Sequence, residues 1–193
     1  MPRARSFDLE EAIKGATILF WRNGYEGTSL AELTAEIGIA PPSLYFAFGS
    51  KAGLFKKALD YYYRAYLGRV EEKAMSQSTA RGVVETMLFG LVDLYTDRSY
   101  PGGCLSVKCS QAYAEDVEVQ EELRTLRDAR RERLAARLRA AQENGDLAAH
   151  ADADRLARFA IVVGWGLAFA AQTGASRAEL RRTVETSLSG WPV

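Results

Sequence analysis

The chain has 193 residues, 48% of them hydrophobic, and its 25 Lys and Arg are balanced by 25 Asp and Glu. That length suggests one domain or two small ones, with enough apolar side chain for a sizeable core. Zero net charge excludes a histone-like or ribosomal-type basic protein and an acidic tail protein, and weighs against nucleic acid unless contacts come from local placement of charge.

Alanine and leucine number 30 and 21, against 11 valines and 5 isoleucines. Unbranched side chains lose least rotamer freedom in a helix, so an all-α fold of about nine helices is expected. Asp8 with Glu11 opens the first helix, Leu9, Ile13, Ala16 and Phe20 repeat along it, and Asn23-Gly24 stops it. Ser29 with Glu32 opens a short second helix that Gly38 ends. Pro41 and Pro42 fit the first turn of a third, where their missing N–H groups would have no partner anyway. Ser50 caps a longer fourth helix carrying Leu54, Phe55, Ala58, Leu59, Tyr62, Tyr66 and Val70. Further helices are expected over about 80–97 and 108–114, then from Asp116 to Asn144-Gly145, from Asp152 to Gln172, and from Ser176 onward. The boundary between two parts falls best near residues 66–75, with the fourth helix continuous across it.

Other chemistries find little support. Two cysteines, Cys104 and Cys109, are too few for a disulfide scaffold, and with one histidine they cannot make a four-ligand zinc site. No metal or cofactor is expected. No phosphate loop, dinucleotide fingerprint or catalytic pair occurs, and His150 has no evident nucleophile beside it, so catalysis is not expected. The longest apolar run, 159–171, is too short to span a bilayer, and the basic N-terminus lacks the apolar core of a signal peptide. A cytoplasmic protein is expected.

Residues 29–48 form a short helix, a glycine turn and a second short helix, the layout of a helix-turn-helix. Spacing alone is weak evidence, since small bundles contain such pairs. The residues Phe20, Gly24-Tyr25, Thr28-Ser29, Leu33, Gly38-Ile39, Ser43-Leu44-Tyr45, Phe48, Ser50-Lys51 and Leu54-Phe55 sharpen it. With them, residues 6–66 resemble the DNA-binding domain of the TetR family of bacterial transcriptional regulators, the run from Tyr45 to Leu54 being the most specific part. The resemblance implies a fourth helix joining this domain to a C-terminal effector-binding and dimerisation domain over 75–193. It also implies a homodimeric, ligand-responsive regulator, most often a repressor, on a pseudo-palindromic double-stranded DNA operator. The alternative is a helical small-molecule-binding or interaction protein without sequence-specific DNA binding.

By that resemblance Tyr45 and Lys51 grip the DNA backbone, which fixes register without reading sequence. Thr28 and Ser29 sit at a helix N-terminus, where a phosphate contact and plain capping are both open. From Ile37 to Ser50 no residue is charged, so Arg or Lys to guanine is missing. Pro41, Pro42, Ser43 and Phe46 are the base-reading candidates, by a serine hydrogen bond or by apolar contact with thymine methyls. Arg3 and Arg5 are either a minor-groove arm or a solvated tail.

In the second half, 152–172 is apolar nearly all round and must be buried all round, so with 177–189 it is expected to form a dimer interface. Leu88, Leu91, Val92, Tyr95, Tyr113, Val163 and Trp165 are candidates to line a site for a small apolar or aromatic effector, though each alone reads equally as core. Gly103-Cys104-Leu105 resembles a segment seen in several family members, some of which sense electrophiles or oxidants through cysteine. Cys104 and Cys109 are therefore redox candidates, with Lys108 expected to lower a neighbouring thiol pKa, against the plainer reading of buried hydrophobes. The arginines between 124 and 139 read as a solvated face.

Overall fold

Local capping chemistry sets most helix starts in the computed structural model, which describes residues 8–111 and 116–192. The Asp8 carboxylate accepts the Glu10 and Glu11 N–H groups to start α1 (Leu9–Asn23). Ser29 and Glu32 form a reciprocal capping box on α2 (Leu30–Ile37). Gly38 ends that helix in the left-handed region, at φ 74° and ψ 31°, its N–H donating to the Thr34 carbonyl. A side chain there would be strained, and this bend is what swings the chain into α3 (Pro41–Phe48) within three residues.

Ser50 caps α4 (Lys51–Tyr62), which passes through a π-helical turn, Tyr63–Leu67, into α5 (Gly68–Met75). The expected continuous fourth helix is thus one rod over 51–75 with a wider turn in its middle. Beyond it lie α6 (Ala80–Tyr95), α7 (Leu105–Gln111), α8 (Val117–Glu143), α9 (Ala153–Gln172) and α10 (Arg177–Leu188). Counting 51–75 as one, the described residues form nine helical rods and no strand, in agreement with the all-α expectation.

The first three helices pack on α4, with Phe20 edge-on to Phe55 at 5.2 Å and Leu33 and Leu44 fully buried. In the second half α9 lies between α6 and α8, and α10 closes on α6 and α9. The buried side chains form one contiguous cluster from Ala16 to Trp191. Its central knot is Trp21, whose ring stacks on Tyr100 at 5.8 Å and meets Tyr62 and Tyr66 edge-on at 4.7 and 5.4 Å. The Trp21 indole N–H donates to the Gly103 carbonyl, 3.2 Å away. Gly103 itself has φ +75°, and a Cβ there would lie 2.7 Å from the Ala168 carbonyl oxygen, so only glycine lets this loop seat on α9.

Polar links tie α8 to the first half, among them the Arg133 guanidinium donating to the Tyr63 hydroxyl at 3.2 Å. The Tyr25 hydroxyl donates to the Asp116 carboxylate at 2.7 Å, and Lys56 pairs with Glu122. Asp116 also caps α8, accepting from the Glu118 and Val119 N–H groups. The arginine-rich face of α8 is solvated at Arg124, which pairs with Glu121. Arg130 departs from that expectation: only 6% exposed, it forms a buried ion pair with Glu71 of α5. The helix turns this one arginine inward beside Leu123, Leu134 and Leu138, on its apolar stripe.

Candidate nucleic-acid interface and effector core

Helix α3 buries Leu44, packs Phe48 half-buried against the core, and presents the rest. Pro41, Pro42, Ser43, Tyr45 and Phe46 are all exposed, Tyr45 at 48% and Phe46 at 96%. With eight residues and no charge, this helix is held by Leu44 and Phe48 and is ended by Gly49. Its leading end offers no free donor. Pro41 and Pro42 lack N–H groups, and the next two, of Ser43 and Leu44, already donate to the Ala40 carbonyl at 2.9 and 3.3 Å. The end of α3 is therefore an apolar nose.

The residues flanking α3 are more engaged. Thr28 is fully buried and its hydroxyl donates to the Gly24 carbonyl at 2.7 Å. Ser29 is exposed, but its hydroxyl donates to the Glu32 carboxylate at 2.7 Å and accepts the Glu32 N–H. Hydrogen bonds from the Ser29 N–H and hydroxyl hold the Glu32 carboxyl below its ordinary pKa. Of the two readings open for this pair, capping is the one the geometry displays at Ser29, while the Thr28 hydroxyl is turned back on the end of α1. Lys51, in the first turn of α4, is half-buried with its ammonium 4.2 Å from the centre of the Tyr25 ring. Burial lowers its pKa, while Glu26 and Asp116 pull the other way. Tyr25 thus supports Lys51 with its ring and holds Asp116 with its hydroxyl. Burial and the Asp116 carboxylate raise the phenol pKa, keeping it a donor. Arg3 and Arg5 lie outside the described residues.

In the second half, Leu88, Leu91, Val92 and Tyr95 line the inner face of α6 and are buried together. Tyr62 joins them, its hydroxyl donating to the Cys104 sulfur at 3.4 Å, with the Ser106 hydroxyl 3.2 Å from the same sulfur. The face of α9 that meets α6 centres on Gly164, where a Cβ would sit 3.1 Å from Leu91 Cδ1. Val163 and Trp165 do not join this set. Val163 faces a groove between α9 and α10, and Trp165 turns toward α8, with the Arg127 guanidinium 5.9 Å over its ring. Helical periodicity gives the reason: the buried stripe of α9 runs through Ala157, Ala160, Ile161, Gly164 and Ala168. Tyr113 lies outside the described residues. Glu71 and Arg130 are polar groups of this core that sequence reading missed, because the two lie 59 residues apart and share no local pattern.

Both cysteines are fully buried. The expected lowering of a thiol pKa by Lys108 fails at Cys109, since burial outweighs the lysine and pushes the thiol up to about 12. In a Cys104→Ser variant at pH 8, Cys109 should react with DTNB roughly a hundredfold more slowly when folded than in guanidinium. Equally fast reaction in the folded protein would show an accessible thiolate.

One apolar surface is left uncovered. Phe159, Val162 and Phe169 on α9 are exposed, and Phe159, Val163, Leu167 and Leu180 line a groove of about 610 Å³ between α9 and α10. Among the described residues no helix is long and apolar enough to cross a membrane.

Comparison with known proteins bears on both halves. Residues 12–58 match the family described as bacterial regulatory proteins, tetR family, and residues 84–187 match the tetracyclin repressor-like C-terminal domain. The HTH-type transcriptional repressor ComR of Escherichia coli (strain K12) is 28% identical over 192 residues, covering 98% of this chain and 91% of ComR. The HTH-type transcriptional repressor BdcR of the same organism is 53% identical over 60 residues, 31% of this chain and 30% of BdcR. Among solved structures, a cysteine-substituted CifR, a TetR family transcriptional regulator complexed with 26-base-pair double-strand operator DNA, superposes with a TM-score of 0.92. It is 37% identical, and the match covers 99% of this chain and all of that one.

Proposed function

The chain belongs to the tetR family of bacterial regulatory proteins, and from that premise we propose that it is a homodimeric, effector-responsive repressor of transcription. Residues 6–66 would be its DNA-reading head and 75–193 its effector-binding and dimerising body. The observation that carries this reading is α3, a short helix that turns Leu44 and Phe48 toward the core and offers the face of Pro41, Pro42, Ser43, Tyr45 and Phe46 to a partner. Similarity to ComR and BdcR, both named transcriptional repressors, and to operator-bound CifR supports DNA as that partner. Tyr45 and Lys51 take the backbone and Pro41, Pro42, Ser43 and Phe46 face the bases, with Thr28 and Ser29 fixing the entry of α2. With this partner the protein works in the cytoplasm, as a binder and not a catalyst.

The uncovered apolar face of α9 and α10 supports dimerisation, since a second copy would cover it by a two-fold axis and present two heads to a pseudo-palindromic site. A small apolar or aromatic effector among Leu88, Leu91, Val92 and Tyr95 would act by favouring a body whose heads are spaced wrongly for the half-sites. Sedimentation at micromolar concentration should show a dimer, and a monomer would count against the architecture.

Fluorescence anisotropy on the duplex immediately upstream of the chain's own gene tests the DNA reading. Lys51→Ala and Tyr45→Ala should each raise Kd at least about tenfold, with Lys51→Ala also flattening the salt slope by roughly 2 per dimer. If neither variant changes affinity, these are not the contacts. If the native protein shows no specific binding, the uncharged α3 belongs to a ligand-binding protein that reads no operator.

A further inference from the structure

Helix α3 carries the oddest chemistry on the molecule's surface. Phe46 is 96% exposed, the most exposed large apolar side chain among the described residues. Pro42 lies one turn before it, so the two share a face and form an apolar ridge. Pro41 and Tyr45 make the same one-turn pair beside it. Ser43 and Tyr45 carry the only polar side chains between 41 and 48, and the first-turn N–H groups are absent or already bonded to Ala40. This face lacks the guanidinium or amide forks that read guanine and adenine by paired hydrogen bonds. It does hold a ring and two pyrrolidines clear of the protein.

One base presents an apolar group in the major groove, and that is thymine, through its C5-methyl. We infer that Phe46 is the residue that determines sequence specificity, and that it does so by packing against a thymine methyl in each half-site. The inference rests on the DNA-binding reading above and assigns the chemistry of recognition within it. Pro42 flanks the ring and narrows the space in which the methyl sits. Tyr45, at 48% exposure, keeps half its surface against the protein and ends in a hydroxyl, which suits a backbone oxygen better than a methyl. Recognition of this kind is non-ionic, so it distinguishes sequences without steepening the salt dependence.

Replacing thymine by deoxyuridine removes the methyl and nothing else, and that is the test. A duplex is first selected from a random-sequence pool with the full-length protein, and each thymine in its half-sites is then exchanged for uracil. At one position per half-site, native affinity should fall about fourfold per methyl, roughly fifteenfold when both half-sites are changed. Phe46→Ala should bind the thymine duplex correspondingly more weakly and be indifferent to uracil at that position. Phe46→Leu, which restores an apolar side chain, should recover part of the uracil effect. Because Phe46 packs on nothing, none of these variants disturbs the core. If uracil leaves native binding unchanged at every position, the inference fails while the DNA-binding reading stands. A uracil penalty that persists in Phe46→Ala assigns the methyl to another side chain and also overturns it. If no duplex is enriched, this inference and the reading beneath it fall together.

Discussion

Arg130→Met is expected to cost about 3–5 kcal/mol of folding stability, while Arg130→Met combined with Glu71→Met recovers most of that loss. Burial works against the charge on Arg130, yet the Glu71 carboxylate beside it raises the guanidinium pKa and keeps the arginine charged. Removing one partner leaves a charge in the core with little solvation. Glu71 would keep only the Tyr63 hydroxyl, which donates to its second oxygen at 2.8 Å, and Tyr63 is in turn held by Arg133 at 3.2 Å. Removing both charges and filling the space with thioether chains trades desolvation for packing. Thermal unfolding should show a fall of roughly 10 °C for the single variant and a return toward the native midpoint for the double one. A double variant as unstable as the single one would mean that the pair contributes through its own geometry. The pair lies between α5 and α8, so the single variants should also loosen the rod that leads to the reading head.

Trp21→Ala should cost about as much, roughly 3–5 kcal/mol, by emptying the aromatic knot where the two halves meet. Trp21 stacks on Tyr100 and meets Tyr62 and Tyr66 edge-on, so its loss opens a hole among three rings that would then touch only through Tyr66. Trp21→Phe separates packing from polarity. It keeps most of the ring contact and strands the Gly103 carbonyl that the indole now serves, at a cost of about 1–3 kcal/mol. Urea unfolding of both variants gives the measurement. A stable Trp21→Ala protein would show that the halves are held by other contacts, such as Tyr25 with Asp116. Because this knot sets the head against the body, both variants should also weaken DNA binding before they unfold.

Most of the helix ends were legible in the sequence because their causes are local. Asp8, Ser29, Ser50, Asp116, Asp152 and Ser176 all cap the helices expected of them, each by a side-chain oxygen on a backbone N–H two or three residues on. The seventh helix is the exception, beginning at Leu105 instead of near residue 108. The uncharged nature of α3 was equally plain, as was its freedom to present Tyr45 and Phe46. The candidate effector site in the body was less legible. Leu88, Leu91, Val92 and Tyr95 are one turn or less apart on a single helix and came out together. Val163 and Trp165 come from another helix, and an apolar pattern nearly all round α9 left its orientation about its own axis undetermined.

The sequence by itself determined the all-helical fold, the helix-turn-helix and its uncharged reading helix, because period, caps and glycine turns act within a few residues. Only the tertiary structure decided which of the many arginines goes inside and which face of α9 meets α6. It alone seated Trp21 under the Gly103 loop and paired Tyr25 with Asp116. Those partners lie 59 to 91 residues apart in the chain. Their choice is made by packing, where one helix must turn its stripe toward whatever surface remains, and no local spacing encodes that.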